Sequence, residues 1–443
     1  MTELCAYHLP GLGAEPHELL PLAATSLVVP QLGARSVALV WRHLEAGAAG
    51  WREHALAARA ERLAVVAAAL RERGPGEWSD LLARSTGLSP AGLAAAWEVT
   101  FAPYDAPALL ALLDTEGLDR RAHGSPRWPR RIAHVLAGNV LPPTFAMLVR
   151  GWLLGAAQWL RPAAREPLFA AALAAHLHEL ASELAPTFAV SWWPHGAEME
   201  AAVLGAADLV TAQGDDTSVA ALRARAQAVA PRARYCGYGD RWSVGLLSRQ
   251  ALTPANAAGV ARDVSLFDGQ GCLSPSVVLV EECAETREWC AALAAALGEE
   301  ETRQPRGPRS ETERAGLRAW RESMRLGIAL GSVCGLWESH GSTAWACALL
   351  APECALPALP LDRHVPVLPF VSEAGCMRLL GAGVARLQGI AADLRGWDAA
   401  RAATLVAQLA PTRVALPGTL QLAPPDWRQD HLAPLGAWLP DGA

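Results

Sequence analysis

The chain has 443 residues, enough for about two or three domains with a large core and a cleft. Apolar residues make up 52% and charged residues 19%, which excludes a disordered chain and is ordinary for a soluble globular enzyme. The net charge is −6, every cation is an arginine and no basic stripe stands out, which argues against nucleic acid as the main partner.

In chain order, the N-terminus MTELCAYHLPGLG has neither a basic start nor a long apolar core, so no signal peptide is expected. The first 120 or so residues read as helical, on alanine and leucine at helix spacing in WREHALAARAERLAVVAAALRERG. GLGAE, residues 11–15, has no expected strand ahead of it and carries no weight as a phosphate loop. The most apolar helix-like stretch, FAMLVRGWLLGAAQWL, contains Arg150 and is too short to span a bilayer. Nine cysteines without regular spacing point to a reducing cytoplasm, and no His/Cys cluster has zinc spacing, so no metal is expected.

From residue 131 the pattern changes to strands alternating with helices, the mark of a mainly parallel α/β sheet covered on both faces. RIAHVLAG, QWLRP, FAVSWW and ADLVTAQG read as strands, FAMLVRGWLLGAA and EPLFAAALAAHLHELASEL as helices. LAGNVLPP leaves Asn139 on a loop between strand and helix, the kind of loop end where α/β proteins bind ligands. Its amide suits an oxyanion, and equally a turn asparagine bonded to backbone. LRPAAREP puts Arg161 and Arg165 after a strand, either a phosphate grip or a solvated pair. TAQGDDTSVAAL is strand, glycine turn at Gly214, then helix start; Asp215 and Asp216 are good caps that would repel a phosphate.

A second sheet region runs from YCGYGDRWSVGLL. FDGQGCLSPSVVLVEE frames Cys272 with glycines, a serine and a proline, then enters an apolar strand buried on both faces. Such a thiol is either reactive or a small core residue beside a bulge. The other cysteines read mostly as core filler. The segment 299–316, EEETRQPRGPRSETERAG, reads as an exposed loop or insertion.

In this order the segments resemble the aldehyde dehydrogenase superfamily, and within it the acyl-CoA reductase branch that includes the reductase of bacterial luminescence. LAGNVLPP is similar to that family's AGN motif, LRPAAREPLFAAALA to its lysine-proline-alanine strand end, and FDGQGCLSPSVVLVE to its nucleophile loop. DRHVPVLPF resembles the segment before the later strands, and TRVALPGTLQLAPPDWRQD the reductase C-terminal tail. The resemblance implies a Rossmann-type nucleotide-binding domain over 1–235 with the N-terminal helical region, and an α/β catalytic domain over 236–400 carrying the cysteine. It also implies a segment, 401–443, that packs back on the first domain or on an oligomer partner.

The implied chemistry is reduction of an acyl thioester, acyl-CoA or acyl-protein, to an aldehyde. Cys272 forms the acyl-enzyme, Asn139 and the Cys272 backbone N–H hold the oxyanion, and a nicotinamide cofactor supplies hydride. Where many relatives carry a water-activating glutamate, this chain has Cys236 or Gly237, which favours reduction over oxidation to free acid. Asp362 falls near a carboxylate that contacts the nicotinamide ribose. Ala164 replaces a glutamate that opposes a 2′-phosphate, and Arg161 and Arg165 flank it, so NADPH is expected over NADH, with Glu166 as a counterweight. Gly214 counts with these on the cofactor side. An acyl-protein synthetase partner is implied by resemblance alone, and a homo-oligomer is compatible. The competing readings are a cysteine acyltransferase or thioesterase without redox chemistry, and a catalytically silent nucleotide-binding subunit.

Overall fold

A computed structural model describes residues 2–13, 15–22, 25–118, 128–352 and 354–440. They divide into two units, the first comprising the chain up to Thr86, Trp97–Gly239 and the chain from Pro424, the second Gly87–Ala96 and Asp240–Ala423. The boundary thus lies between Gly239 and Asp240. The stretch expected as one segment from 401 is shared, with its first part in the second unit and its end in the first.

The first unit opens with strands, not helix. β1 (Thr2–Cys5), β2 (His17–Leu22) and β3 (Thr25–Pro30) form a small sheet in which β3 pairs parallel with β1 and antiparallel with β2. Helical periodicity begins only afterwards, in α1 (Ala34–Arg52), α2 (Leu56–Arg73), α3 (Ser79–Thr86), α4 (Pro90–Phe101) and α5 (Ala106–Thr115). GLG therefore does follow a strand, but leads into another strand instead of a helix, so it lacks the helix N-terminus a phosphate loop needs.

The alternating part is β4 (Arg131–Val135), α6 (Pro142–Leu154), β5 (Ala157–Arg161), α7 (Phe169–Leu180), β6 (Phe188–Val190), α8 (Glu198–Gly205), β7 (Leu209–Gln213), α9 (Asp216–Val229) and β8 (Arg234–Tyr238). The strands form a five-stranded parallel sheet ordered β6-β5-β4-β7-β8, so the order reverses between β4 and β7. One face, with Ala133, Val135, Trp159 and Val210, packs on Trp41 and Leu44 of α1, Val203 of α8 and Leu222 of α9.

On the opposite face a polar row is buried. His134 Nε2 lies 3.0 Å from Gln158 Oε1, and Nδ1 lies 2.7 Å from Thr211 Oγ1. Gln158 Nε2 donates to the Leu148 carbonyl of α6 at 3.2 Å, so its Oε1 accepts from His134, and Thr211 donates to Nδ1. Gly151 makes room, since a Cβ there would sit 2.1 Å from Gln158 Oε1. The C-terminal tail closes on the same unit: Trp438 Nε1 donates to the Tyr238 hydroxyl at 3.1 Å, and Asp430 accepts from Gly239 N at 2.9 Å.

The second unit comprises β9 (Trp242–Leu247), α10 (Pro254–Ser265), β10 (Pro275–Glu281), α11 (Thr286–Arg303), α12 (Glu311–Ala329), β11 (Val333–Glu338), β12 (Ala346–Leu350), β13 (His364–Phe370), α13 (Glu373–Leu380), β14 (Leu387–Asp393), α14 (Ala399–Leu409) and β15 (Arg413–Ala415). Its seven strands are ordered β11-β12-β13-β10-β9-β14-β15, parallel except for β11. Val277 and Leu279 of the central strand pack in the cluster of Trp320, Met324 and Leu405, while Val278 and Val280 pack with Val260, Val264 and Leu293. Helices on both faces explain the unbroken apolar run of β10. Among the described residues no helix is long and apolar enough to cross a membrane.

Burial lowers the His134 pKa to about 4, further than the Gln158 bond restores, and Arg150 adds to the lowering. A base depressed in the folded state favours unfolding once protons are available. Its contribution to stability is complete above the unfolded value of 6.5 and falls away from there down to about 4, in total about 3 kcal/mol. NMR titration of labelled imidazoles should find His134, identified by its loss in His134→Gln, still neutral at pH 5. A midpoint near 6.5 would show the row open to water.

Candidate active site

At the reversal point of the first sheet, the carboxyl ends of β4 and β7 carry two of the expected residues. Leu136 N donates to the Arg161 carbonyl at 2.9 Å, Gly138 turns the chain with φ +86°, and Pro142 opens α6. Asn139, half-buried, donates from its amide to the Thr86 carbonyl at 2.9 Å, which orients the side chain. Gly214 N donates to the Tyr238 carbonyl at 3.2 Å, and a Cβ on Gly214 would lie 3.5 Å from Ser218 Cβ and 3.9 Å from Ala137 Cβ. The Asn139 and Gly214 loops are therefore neighbours at the switch point, the crevice where open α/β sheets bind ligands. Asp215 is committed to capping α9, accepting from Ser218 N at 2.8 Å and Ser218 Oγ at 2.6 Å; these bonds hold its carboxyl below the usual range.

The structure separates the two arginines after β5. Arg161 is buried, its Nε donating to the Trp193 carbonyl at 2.8 Å and its guanidinium over the Trp192 ring at 5.5 Å. Burial lowers its pKa against the opposing pull of Glu200. Ala164 and Arg165 are exposed. Glu166 turns inward, accepting from Leu168 N and Phe169 N at 3.0 Å each and from Ser85 Oγ at 3.1 Å. Its burial pushes the pKa up to about 7 despite those bonds. The nearest carboxylate to Arg165 in sequence is thus spent on the start of α7.

In the second unit Cys272 is half-buried at the amino end of β10. Its loop is held downstream: Ser243 Oγ donates to the Cys272 carbonyl at 2.7 Å, and Gln421 Nε2 donates to Ser274 Oγ at 2.7 Å and to the Asp263 carbonyl at 3.0 Å. Gly269 takes φ +70°, as its place suggested, whereas Gly271 does not; the left-handed partners are Phe267 and Asp268 at +55° and +52°. Of the other cysteines, 236, 290, 347 and 376 are buried, but 5 and 334 are exposed and 283 and 354 half-buried.

Asp362 lies in an ion network. It accepts from Arg306 Nη1 at 2.7 Å and from Arg309 Nε and Nη2 at 3.1 and 2.8 Å. Burial raises its pKa, and the two arginines oppose that rise without cancelling it. The segment expected as an exposed loop is mostly exposed, but only 304–310 is a connection; the rest is helix, and two of its arginines turn inward. α11 runs to Arg303, a capping box of Ser310 and Glu313 opens α12, and the side chains of Arg306 and Arg309 between them are 9% and 5% exposed. At the place of the absent glutamate, Cys236 is buried with its thiol pKa raised, chiefly by burial, and a Cβ at Gly237 would lie 2.6 Å from Val219 Cγ1. Neither offers a carboxylate. Sequence reasoning missed Ser243, Gln421, Asp268 and Arg309; each lies in a quoted stretch, but nothing local marks which side chain turns toward the cysteine loop.

Gln421→Leu removes one loop anchor, a loss of about 1 kcal/mol. Amides of 269–274 should then exchange roughly five- to tenfold faster, with the rest of the second unit unchanged. Hydrogen exchange by mass spectrometry reads this directly.

Residues 118–437, more than half of the chain, match the family of acyl-CoA reductases (LuxC). A long-chain acyl-protein thioester reductase of Aliivibrio fischeri is 26% identical over 145 residues, 32% of this chain and 30% of that protein, so the match spans less than a third of that relative's length. Among solved structures, an aldehyde dehydrogenase of Brucella melitensis biovar abortus matches with TM-score 0.67 at 15% identity, over 93% of this chain and 89% of that one. Aldehyde dehydrogenase 21 of Physcomitrella patens, in complex with succinate, matches at 0.66 and 16%, over 94% and 89%. An NAD-dependent benzaldehyde dehydrogenase of Corynebacterium glutamicum matches at 0.63 and 16%, over 88% of each chain. The fold is that of the aldehyde dehydrogenases, as the sequence resemblance implied.

Proposed function

Because the chain belongs to the acyl-CoA reductase (LuxC) family, we propose that it reduces an acyl thioester, acyl-CoA or acyl-protein, to an aldehyde with NADPH through an acyl group carried on Cys272. The single observation that supports this most is a half-buried thiol on an anchored loop at the amino end of a fully buried strand. Packing holds the strand, and the loop bonds hold the Cys272 carbonyl and the Ser274 hydroxyl beside it.

The sulfur of Cys272 attacks the acyl carbon, the thioester C–S bond breaks, and the departing thiolate takes a proton. Two donors answer the developing oxyanion in the family's scheme, the Cys272 backbone N–H and the Asn139 amide, whose orientation the Thr86 carbonyl fixes. When bound, the nicotinamide supplies hydride to the acyl carbon, giving a thiohemiacetal on Cys272 whose C–S bond breaks to release aldehyde and restore the sulfur. Cys236 and Gly237 provide no base to activate water, so the acyl-enzyme persists for reduction.

The residues present fit such a cofactor. Gly214 lies at the switch point beside the N-terminus of α9, where Asp215 is spent on the cap and exposed Asp216 opposes a phosphate. Arg165 is the exposed cation for a 2′-phosphate, Ala164 opposes nothing, and Glu166 is sequestered under α7. With Arg161 bonded to Trp193, the preference for NADPH rests on Arg165. An acylated protein is the donor suggested by the likeness to an acyl-protein thioester reductase, and a synthetase that would charge it is implied by the family resemblance alone.

Incubated with a panel of acyl-CoAs, the wild-type protein should gain the mass of an acyl group that Cys272→Ala does not gain, and NADPH absorbance should fall on mixing. Loading of Cys272 without NADPH consumption would identify an acyltransferase or thioesterase instead. Arg165→Ala should raise KM for NADPH roughly tenfold and leave NADH use unchanged. Equal kcat/KM with both cofactors in the wild type would end the NADPH assignment.

A further inference from the structure

The amino edge of the second sheet holds a buried ion network next to the cysteine loop. Arg309 donates from Nη2 to both Asp268 Oδ2 and Asp362 Oδ1 at 2.8 Å, and from Nη1 to the carbonyls of Gly87 and Pro308 at 2.9 and 3.0 Å. Arg363 donates from Nε to Asp268 Oδ1 at 2.9 Å and from Nη1 to Glu301 Oε2 at 3.0 Å. Gly307 N donates to Asp268 Oδ2 at 3.0 Å. Side-chain exposure is 1% for Asp268, 1% for Arg363 and 5% for Arg309. Burial works against the charge on Arg309, but Asp362 and Asp268 outweigh it and raise its pKa.

Two backbone stretches meet in this network, and both are left-handed. Phe267, Asp268 and Gly269 take φ of +55°, +52° and +70°; Leu361, Asp362 and Arg363 take +57°, +55° and +60°. Runs of L residues in this region are unfavourable and persist only where their surroundings over-determine them. A Cβ on Gly269 would lie 3.1 Å from Asp362 N and 3.3 Å from Arg363 N, so the stretches pack backbone to backbone. Each contributes one carboxylate to the same guanidinium. The first stretch leads directly into Cys272.

We propose that Arg309 is a positioning residue for Cys272: by clamping Asp268 to Asp362 it holds the 267–269 turn in its left-handed form, and that turn sets where the thiol is presented. The proposal rests on the reading of Cys272 as nucleophile. Asp362 acts here as a partner of the clamp. Lysine at 309 keeps the charge but loses the Nε bond to Asp362 and the Nη1 bonds to the Gly87 and Pro308 carbonyls, which fix where the bridging nitrogen sits.

The test uses the full chain and p-nitrophenyl acetate as acyl probe, with stopped-flow release of nitrophenolate and peptide mapping of the acyl group. Burst amplitude counts competent thiols; the burst rate constant reports their presentation, which a merely structural role would not move. Arg309→Lys should keep the amplitude and lower the rate constant about ten- to a hundredfold. Arg401→Lys, a change in an ion pair with Glu373 in the same unit, should alter neither. A rate constant within twofold of wild type, or a loss of amplitude alone, overturns the proposal. Should Arg309→Lys not fold, Asp362→Asn, nearly isosteric and lacking one charge of the clamp, carries the same expectation and the same refutation. A burst in Cys272→Ala equal to wild type, or none at Cys272 in wild type, removes the nucleophile reading and this proposal with it. An intact Cys272 burst with unaltered variants removes the proposal alone.

Discussion

The register of β10 is the constraint on which the second unit depends. All seven of its residues are buried, and successive side chains enter different helical layers. A slip by one residue would exchange the contents of the two layers, so the strand has one position. Cys272 stands just ahead of it, and the loop cannot drift along the sheet while β10 stays fixed. Ser243 at the start of neighbouring β9 and Gln421 from beyond β15 then choose one path for the few residues that remain.

The candidate residues of the two units lie at opposite edges of their sheets, with different electrostatic surroundings. In the first, the loops at the carboxyl ends of β4 and β7 run into the N-termini of α6 and α9; α6 opens on Pro142 and Pro143, which carry no N–H, and Asp215 caps α9. In the second, the cysteine loop follows the C-terminus of α10, and its neighbourhood holds the buried carboxylates of Asp268 and Asp362. That edge carries no intrinsic positive end, and arginines from the α11–α12 connection and from the start of β13 supply the balance.

Much of this was legible residue by residue. The apolar run Val277–Val280 announced a strand covered on both faces, the glycine at 269 a turn, and the alternation after 131 a parallel sheet. One reading failed outright and one in part. Residues 2–30 were assigned the helical character of the segments after them, although HELLPL and TSLVVP are short strands that pair only with each other and with β1. The charged stretch 299–316 reads as solvated surface, and most of it is exposed; the Arg306 and Arg309 side chains are the exception, buried against Asp268 and Asp362. Arg161 and Arg165 looked alike in sequence, and a single carbonyl, that of Trp193, separates them.

What is local can be read from the chain alone: strand and helix periods after residue 131, the cap at Asp215, the turn at Gly269, and a cysteine in a frame suited to reaction. These follow from backbone sterics and side-chain spacing within a few residues. Contacts between distant segments settle which charges are buried, which arginine stays exposed, and that Arg309 reaches both carboxylates. Burial of a charge is tolerable only with its partner in place, and those partners come from far along the chain, where no local pattern records them.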